Sequence, residues 1–181
     1  MNTIAVIGVG NILFTDDGIG VYAAKYLETN YGFEPPIEII DGGTLGFNLM
    51  QYFTHYDHVI LLDTLSIDEK AGSIYHLPSD ALLGLGDTRK TVHEVEVTQM
   101  IELASLMDVR ALISVLGIIP SDIQTVAMDL SPILKKRFDT FIQSLLAILE
   151  EVGVTVTVNE QLFELNEVIE SYRDPYTRAQ G

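Results

Sequence analysis

The sequence HVILLD at residues 58–63 decides the fold class, because every position between the histidine and the aspartate is apolar. A short run without polar interruptions is typical of a β-strand that is buried on both faces. Such strands occur in parallel sheets that are covered by helices on each side, so the run indicates an α/β protein. Asp63 then lies at the carboxyl end of a buried strand.

Apolar and amphipathic stretches alternate on both sides of this run, as in β/α units around a mostly parallel sheet. We predict further strands at 3–9, 36–41, 110–117 and 154–158, an antiparallel or edge strand at 72–77, and helices at 17–30, 46–55, 94–107 and 132–151. Residues 1–158 are expected to form a single α/β domain. Residues 159–181 form an acidic C-terminal tail, whose apolar positions follow the spacing of one amphipathic helix.

Composition narrows the possible partners. The 181 residues carry 26 acidic and 10 basic side chains, and the resulting net charge of −16 disfavours binding to nucleic acid. The absence of cysteine excludes disulfides, thiolate metal sites and a cysteine nucleophile. No apolar run reaches the roughly 18 residues that span a membrane, and no basic segment precedes the first strand. We therefore expect a cytoplasmic protein that does not insert into membranes.

Carboxylates follow three successive strands of the predicted sheet. The first strand leads into GVGNILFTDDGIG at residues 8–20, the second ends in DGGT at 41–44, and the third ends in Asp63. Ligands of open α/β sheets bind at the carboxyl ends of the strands. A dinucleotide-binding loop is disfavoured, because Leu13 replaces the third glycine and two aspartates would repel a pyrophosphate.

Several of these residues also have an ordinary structural interpretation. Asp16 and Asp17 stand at a helix start, where an acid can cap backbone N–H groups, and at least one of them is expected to do so. Asp63 needs a partner or a metal, because an ionised carboxylate at the end of a buried strand is costly to desolvate. Together with His93, Asp17 and Asp63 could form a metal site of two oxygens and one nitrogen with open positions, which suits Ni²⁺ or Zn²⁺.

The other histidines are weaker candidates. His55 and His58 flank the amino end of the third strand, and nothing in the sequence gives His76 a role. His93 is followed by Glu94, but Val97 replaces the second histidine of a zinc-protease H-E-x-x-H motif.

The combination of these segments resembles the [NiFe]-hydrogenase maturation endopeptidases over about residues 1–150. The segments that carry the resemblance are GVGNIL at 8–13, DDGIG at 16–20, DGGT at 41–44, VILLD at 59–63, His93 and GIIP at 117–120. The resemblance implies a three-layer α/β/α sandwich around a mostly parallel, twisted five-stranded sheet. It also implies removal of a C-terminal extension from a hydrogenase large-subunit precursor after nickel insertion.

The same resemblance implies roles for individual residues. Asp17, Asp63 and His93 match the positions where the family binds metal, the first of which is Glu or Asp in relatives. Asp41, Gly42, Gly43 and Thr44 match a Gly-rich loop beside the substrate groove, and Thr44 could also cap the second helix. The tail after Asn159 lies outside the recognised pattern.

Three mechanisms are compatible with these residues, since no Ser–His–Asp or Cys–His arrangement is visible. The site could engage nickel already held by the precursor and act by proximity, which we favour. A metal-bound water could attack the peptide bond, or Asp17 or Asp16 could work with Asp63 as an acid–base pair. A divalent ion such as Ni²⁺, Zn²⁺ or Cd²⁺ can occupy the site in the isolated protein. A non-proteolytic nickel-binding chaperone and a peptidase for another substrate are the alternative functions.

Overall fold

The computed structural model describes residues 3–83, 92–107 and 109–174, and their side chains except those of 82, 83 and 92–96. The strands are β1 Ile4–Val9, β2 Tyr31–Glu34, β3 Glu38–Gly43, β4 His58–Thr64, β5 Ile74–Pro78, β6 Leu112–Ile118 and β7 Thr155–Val158. The helices are α1 Ile19–Asn30, α2 Met50–His55, α3 Ser79–Leu83, α4 Val92–Leu106, α5 Pro132–Glu151 and α6 Leu165–Arg173. Two 3₁₀ turns, Thr15–Gly18 and Gly46–Leu49, lead into α1 and α2.

A five-stranded sheet in the order β3-β1-β4-β6-β5 forms the centre of the molecule. Strands β3, β1, β4 and β6 are parallel, and β5 pairs with β6 antiparallel at the edge. Strand β4 contains the HVILLD run and is buried from Val59 to Thr64, as expected of a strand in the middle of a covered sheet. The predicted edge strand at 72–77 is confirmed by β5.

Helices cover both faces of this sheet, and the side chains of β4 alternate between two hydrophobic cores. Ile60 and Leu62 pack with α1, α5 and α6 in the first core. Val59 and Leu61 pack with α2 and α4 in the second core. The chain therefore has the predicted three-layer α/β/α architecture, with a mostly parallel five-stranded sheet between the two helical layers.

A second, two-stranded sheet was only partly anticipated by the sequence. Strand β7 matches the short strand predicted at 154–158, but it pairs antiparallel with β2 and lies outside the central sheet. Strand β2 begins directly after α1 and was not predicted, because Tyr31–Glu34 has only four residues and no loop separates it from the helix. The pairing depends on where α1 and α5 end, which is a tertiary property.

The C-terminal tail contains helix α6, which packs against α1. Glu164 caps the helix, and its side chain and that of Glu167 form a reciprocal capping box. Val168 and Ile169 are buried, and Leu165 and Tyr172 are half-buried one turn before and after them. This i, i+3, i+4, i+7 spacing gives the helix its apolar face. Within the part of the chain that the structure describes, no helix is both long enough and apolar enough to span a membrane.

Candidate active site

The chain order reverses at β1, which creates a crevice at the carboxyl edge of the sheet. Strand β3 pairs with one side of β1, and the next strand of the sheet, β4, pairs with the other side. In open α/β sheets, ligands bind in the crevice outside such a reversal. The 3₁₀ turn Thr15–Gly18 and the end of β4 meet at this crevice.

A glycine brings the start of α1 into contact with both strand ends. A Cβ atom on Gly20 would lie only 2.1 Å from the carbonyl oxygen of Leu62 and 2.5 Å from that of Val9. Only glycine permits this approach, because real Cβ atoms do not come so close to a carbonyl oxygen. The turn that precedes α1, with Asp17 on it, is therefore held directly over the ends of β1 and β4.

Asp17 and Asp63 are two nearly buried carboxylates on contacting elements. Asp17 is 5% exposed, and its Oδ2 accepts a hydrogen bond from the backbone N–H of Asn11 at 3.0 Å. Asp63 is 2% exposed, and its Oδ1 accepts a hydrogen bond from the backbone N–H of Thr64 at 2.7 Å. A buried carboxylate that is ionised needs hydrogen bonds or a cation to compensate its charge.

The backbone of His93 lies in the first turn of α4. This helix ends at Leu106, close to the start of β6, where Leu112 pairs with His58 at the amino edge of the sheet. Its first turn therefore lies toward the carboxyl edge, in the helical layer that Asp63 faces by the alternation of β4. The side chain of His93 is outside the described residues. Among the side chains that are described, no three or more His, Asp and Glu residues are grouped to hold a metal ion.

Of the two aspartates at the helix start, Asp16 does not cap the helix that follows it. The N-cap residue of α1 is Gly18, and the Asp16 carboxylate is directed away from its own helix. This side chain is fully buried and accepts four hydrogen bonds of 2.7 to 2.9 Å, from the backbone N–H groups of Ser121, Asp122 and Ser131 and from the hydroxyl of Ser131. Asp16 thus joins the turn before α1 to the loop between β6 and α5.

The Gly-rich segment lies at the end of β3, beside the loop that follows β1. The carbonyl oxygen of Gly43 accepts a hydrogen bond from the N–H of Gly10 at 3.0 Å, and Gly43 has a φ of +43°. Glycine adopts this left-handed conformation without strain. Gly42 is buried and Thr44 is exposed. The cap expected of Thr44 is not formed, because Leu45 is the N-cap of the following turn.

Asp41 is directed to the opposite face of the sheet from Asp63. It has the same orientation along β3 as Ile39, which packs against the core of α1, α5 and α6. The exposed carboxylate of Asp41 accepts a hydrogen bond from the hydroxyl of Tyr172 at 3.0 Å. Tyr172 was not among the site residues predicted from the sequence. The signal for it was its position four residues after Val168 on the apolar face of the tail helix.

Comparison with known proteins gives a consistent family assignment. The family model described as hydrogenase maturation protease matches residues 21–148. Hydrogenase 2 maturation protease of Escherichia coli (strain K12) is 28% identical over 163 residues, which cover 89% of this chain and 99% of that protein. Protein HydD of Wolinella succinogenes is 31% identical over 141 residues, or 76% of this chain and 89% of that protein.

A solved structure supports the same assignment. The hydrogenase maturating endopeptidase HybD from E. coli superimposes with a TM-score of 0.79 at 28% identity, covering 87% of this chain and 98% of that one. The family model spans more than half of the chain, so the resemblance drawn from the motifs is confirmed. The chain belongs to the hydrogenase maturation proteases, a family of enzymes that hydrolyse peptide bonds.

Proposed function

We propose that this protein removes the C-terminal extension of a [NiFe]-hydrogenase large-subunit precursor after nickel has been inserted. In this proposal, Asp17, Asp63 and His93 bind the nickel that the precursor carries. The observation that supports it most strongly is the placement of Asp17 and Asp63, two nearly buried carboxylates on contacting elements at the crevice.

The chemistry of the three side chains fits a metal ion that arrives with the substrate. Burying a carboxylate is costly unless a hydrogen bond or a cation compensates the charge, and the crevice holds two of them. Two carboxylates and one imidazole leave coordination positions open for ligands from the precursor. In the isolated protein, Ni²⁺, Zn²⁺ or Cd²⁺ would occupy the same set.

The Gly-rich loop supplies the second half of the proposed site. The hydrogen bond from Gly10 to Gly43 joins this loop to the loop that precedes Asp17, so nickel and substrate backbone would be held side by side. Gly42 and Gly43 would let an extended peptide approach the backbone closely, and Thr44 is the last residue of the same loop. Fixing the nickel on one side and the peptide on the other places the scissile bond by proximity. Asp17 and Asp63 are the groups available to accept a proton from the attacking water.

Incubation with a nickel-loaded precursor tests the proposed reaction. We expect the intact mass of the precursor to fall by the mass of its C-terminal extension, and a peptide of that mass to appear. A precursor that binds the protein but keeps its full mass would contradict proteolysis and would indicate a nickel-binding chaperone. Cleavage at an internal site would contradict the proposed substrate position.

The proposed role of His93 predicts a pH-dependent affinity for metal. An imidazole binds metal only when neutral, and its ordinary pKa is about 6.5. Protons should therefore compete with metal for the imidazole as the pH falls from about 7 to 5. We expect Cd²⁺ affinity, measured by calorimetric titration, to fall about tenfold or more over this range. His93→Gln should weaken binding and flatten the profile.

The other three histidines provide matched controls. His55 and His58 lie at the amino edge of the sheet, away from the crevice. His76 lies on the edge strand β5, and desolvation lowers its pKa below the ordinary value, against the opposing effect of the Glu151 carboxylate. Glutamine at each of these positions should keep the wild-type profile. If His76→Gln rather than His93→Gln flattened the profile, the assignment of the third ligand would be wrong.

A further inference from the structure

Helix α6 reaches the candidate site from outside the region that defines the family. The family model ends at residue 148, whereas α6 begins at Leu165. Its buried side chains fix it on α1, and its last turn carries Tyr172 and Arg173 to the carboxyl edge of the sheet. These two consecutive residues contact two different segments of that edge.

Tyr172 is held in place by its ring and contacts Asp41 through its hydroxyl. The ring packs edge-on against the buried Tyr22 of α1, with ring centroids 5.7 Å apart and an interplanar angle of 72°. The hydroxyl donates a hydrogen bond to Oδ2 of Asp41 at 3.0 Å. The side chain of Tyr172 therefore connects the hydrophobic core to Asp41, the first residue of the Gly-rich loop.

Arg173 makes the neighbouring attachment. Its Nε donates a hydrogen bond to the carbonyl oxygen of Met128 at 2.8 Å, and its guanidinium lies 3.6 Å from the carboxylate of Asp129. Asp129 also forms an ion pair with Lys135 at 2.7 Å. Met128 and Asp129 belong to the loop between β6 and α5, the loop that Asp16 holds from its other side. The last turn of α6 is thus fixed independently of Tyr172.

The pairing of the Gly-rich segment with the sheet becomes irregular after Asp41. Among the described residues, strand β3 pairs only with β1 and forms the edge of the sheet. The register between β1 and β3 is regular up to the pair of Gly8 and Asp41, and it then shifts so that Val9 pairs with Gly43. The chain beyond Asp41 therefore has less regular ladder bonding to hold it.

We propose that Tyr172 is a positioning residue, which fixes the Asp41 carboxylate and thereby the Gly-rich loop that receives the substrate peptide. This inference rests on the proposed function of that loop. Asp41 then acts as the anchor of the loop, and the backbone of Gly42 and Gly43 contacts the peptide. Loss of the hydroxyl should weaken substrate binding and leave the chemical step unchanged.

Tyr172→Phe tests the proposal, because it keeps the ring on Tyr22 and removes only the hydroxyl. We expect KM for the nickel-loaded precursor to rise about three- to tenfold, as for loss of one ordinary hydrogen bond, and kcat to change less than twofold. In an Asp41→Ala background, Tyr172→Phe should raise KM no further. Tyr56→Phe is the matched control, because it removes a tyrosine hydroxyl at the amino edge of the sheet and should leave KM unchanged.

Amide hydrogen exchange measures how often the Gly-rich loop opens, independently of enzymatic activity. The N–H of Leu45 donates a hydrogen bond to the carbonyl oxygen of Gly42 at 2.9 Å. Tyr172→Phe should speed hydrogen exchange of this N–H and leave exchange within β4 unchanged. Unchanged KM and unchanged loop exchange would overturn the proposal, as would a fall in kcat at constant KM. A different outcome is that the wild-type protein fails to cleave the precursor while Tyr172→Phe still speeds exchange in the loop. That combination would support the attachment by Tyr172 and contradict the proposed function.

Discussion

Replacing Asp17 or Asp63 by asparagine is expected to slow precursor processing by more than about a hundredfold while leaving the protein folded. The amide keeps the shape of the side chain and can still accept the hydrogen bond from Asn11 or Thr64. It lacks the negative charge that a metal ligand or a proton acceptor needs. Loss of groups that merely support metal ligands already costs 10- to 100-fold, so loss of a ligand should cost more.

The measurement compares initial rates of processing with thermal unfolding for each variant. Asp139→Asn is a suitable control, because this aspartate is exposed on α5 and lies outside the crevice; its rate should match that of the wild type. Full activity of either crevice variant would show that its carboxylate serves only to hold the neighbouring backbone.

Replacing Asp16 by alanine is expected to destabilise the protein by about 3–5 kcal/mol, because it leaves two buried donors of Ser131 and two partly buried N–H groups without an acceptor. The carboxylate serves three backbone N–H groups and one hydroxyl on the loop between β6 and α5. Each buried donor that loses its acceptor costs about 1–3 kcal/mol. For a chain of this length, such a change should lower Tm by about 10 °C.

Urea unfolding of the two proteins measures this difference directly. Asp139→Ala, on the exposed face of α5, should change the free energy of unfolding by less than about 0.5 kcal/mol. The folded fraction of Asp16→Ala should retain the wild-type metal affinity, since Asp16 is assigned to the scaffold. An Asp16 variant with normal stability and no activity would show that this residue has a catalytic role instead of a structural one.

Local sequence patterns predicted the central sheet and the region of the site. The apolar run at 58–63 predicted β4 as a strand buried on both faces, and alternation with amphipathic stretches predicted the covering helices. Asp17 and Asp63 come after parallel strands that end at the same edge of the sheet, so the sequence could predict both at one crevice. Asp41 lies at this edge too, but its side chain is directed to the opposite face of the sheet from Asp63.

Contacts between distant segments could not be predicted in this way. Asp16 looks like a helix cap in sequence, but its partners lie 105 to 115 residues further along the chain. The hydrogen bond between Asp41 and Tyr172 spans 131 residues. The pairing of β2 with β7 depends on the positions where two helices end. Each of these interactions is set by the packed fold, and no local spacing encodes it.

The dependence of processing on nickel tests the central claim most directly. The measurement follows the intact mass of nickel-loaded and nickel-free forms of the same precursor over time, each incubated with the wild-type protein. We predict that the nickel-loaded form loses its C-terminal extension, whereas the nickel-free form keeps its full mass over the same period. Equal rates of cleavage of the two forms would contradict nickel recognition by Asp17, Asp63 and His93.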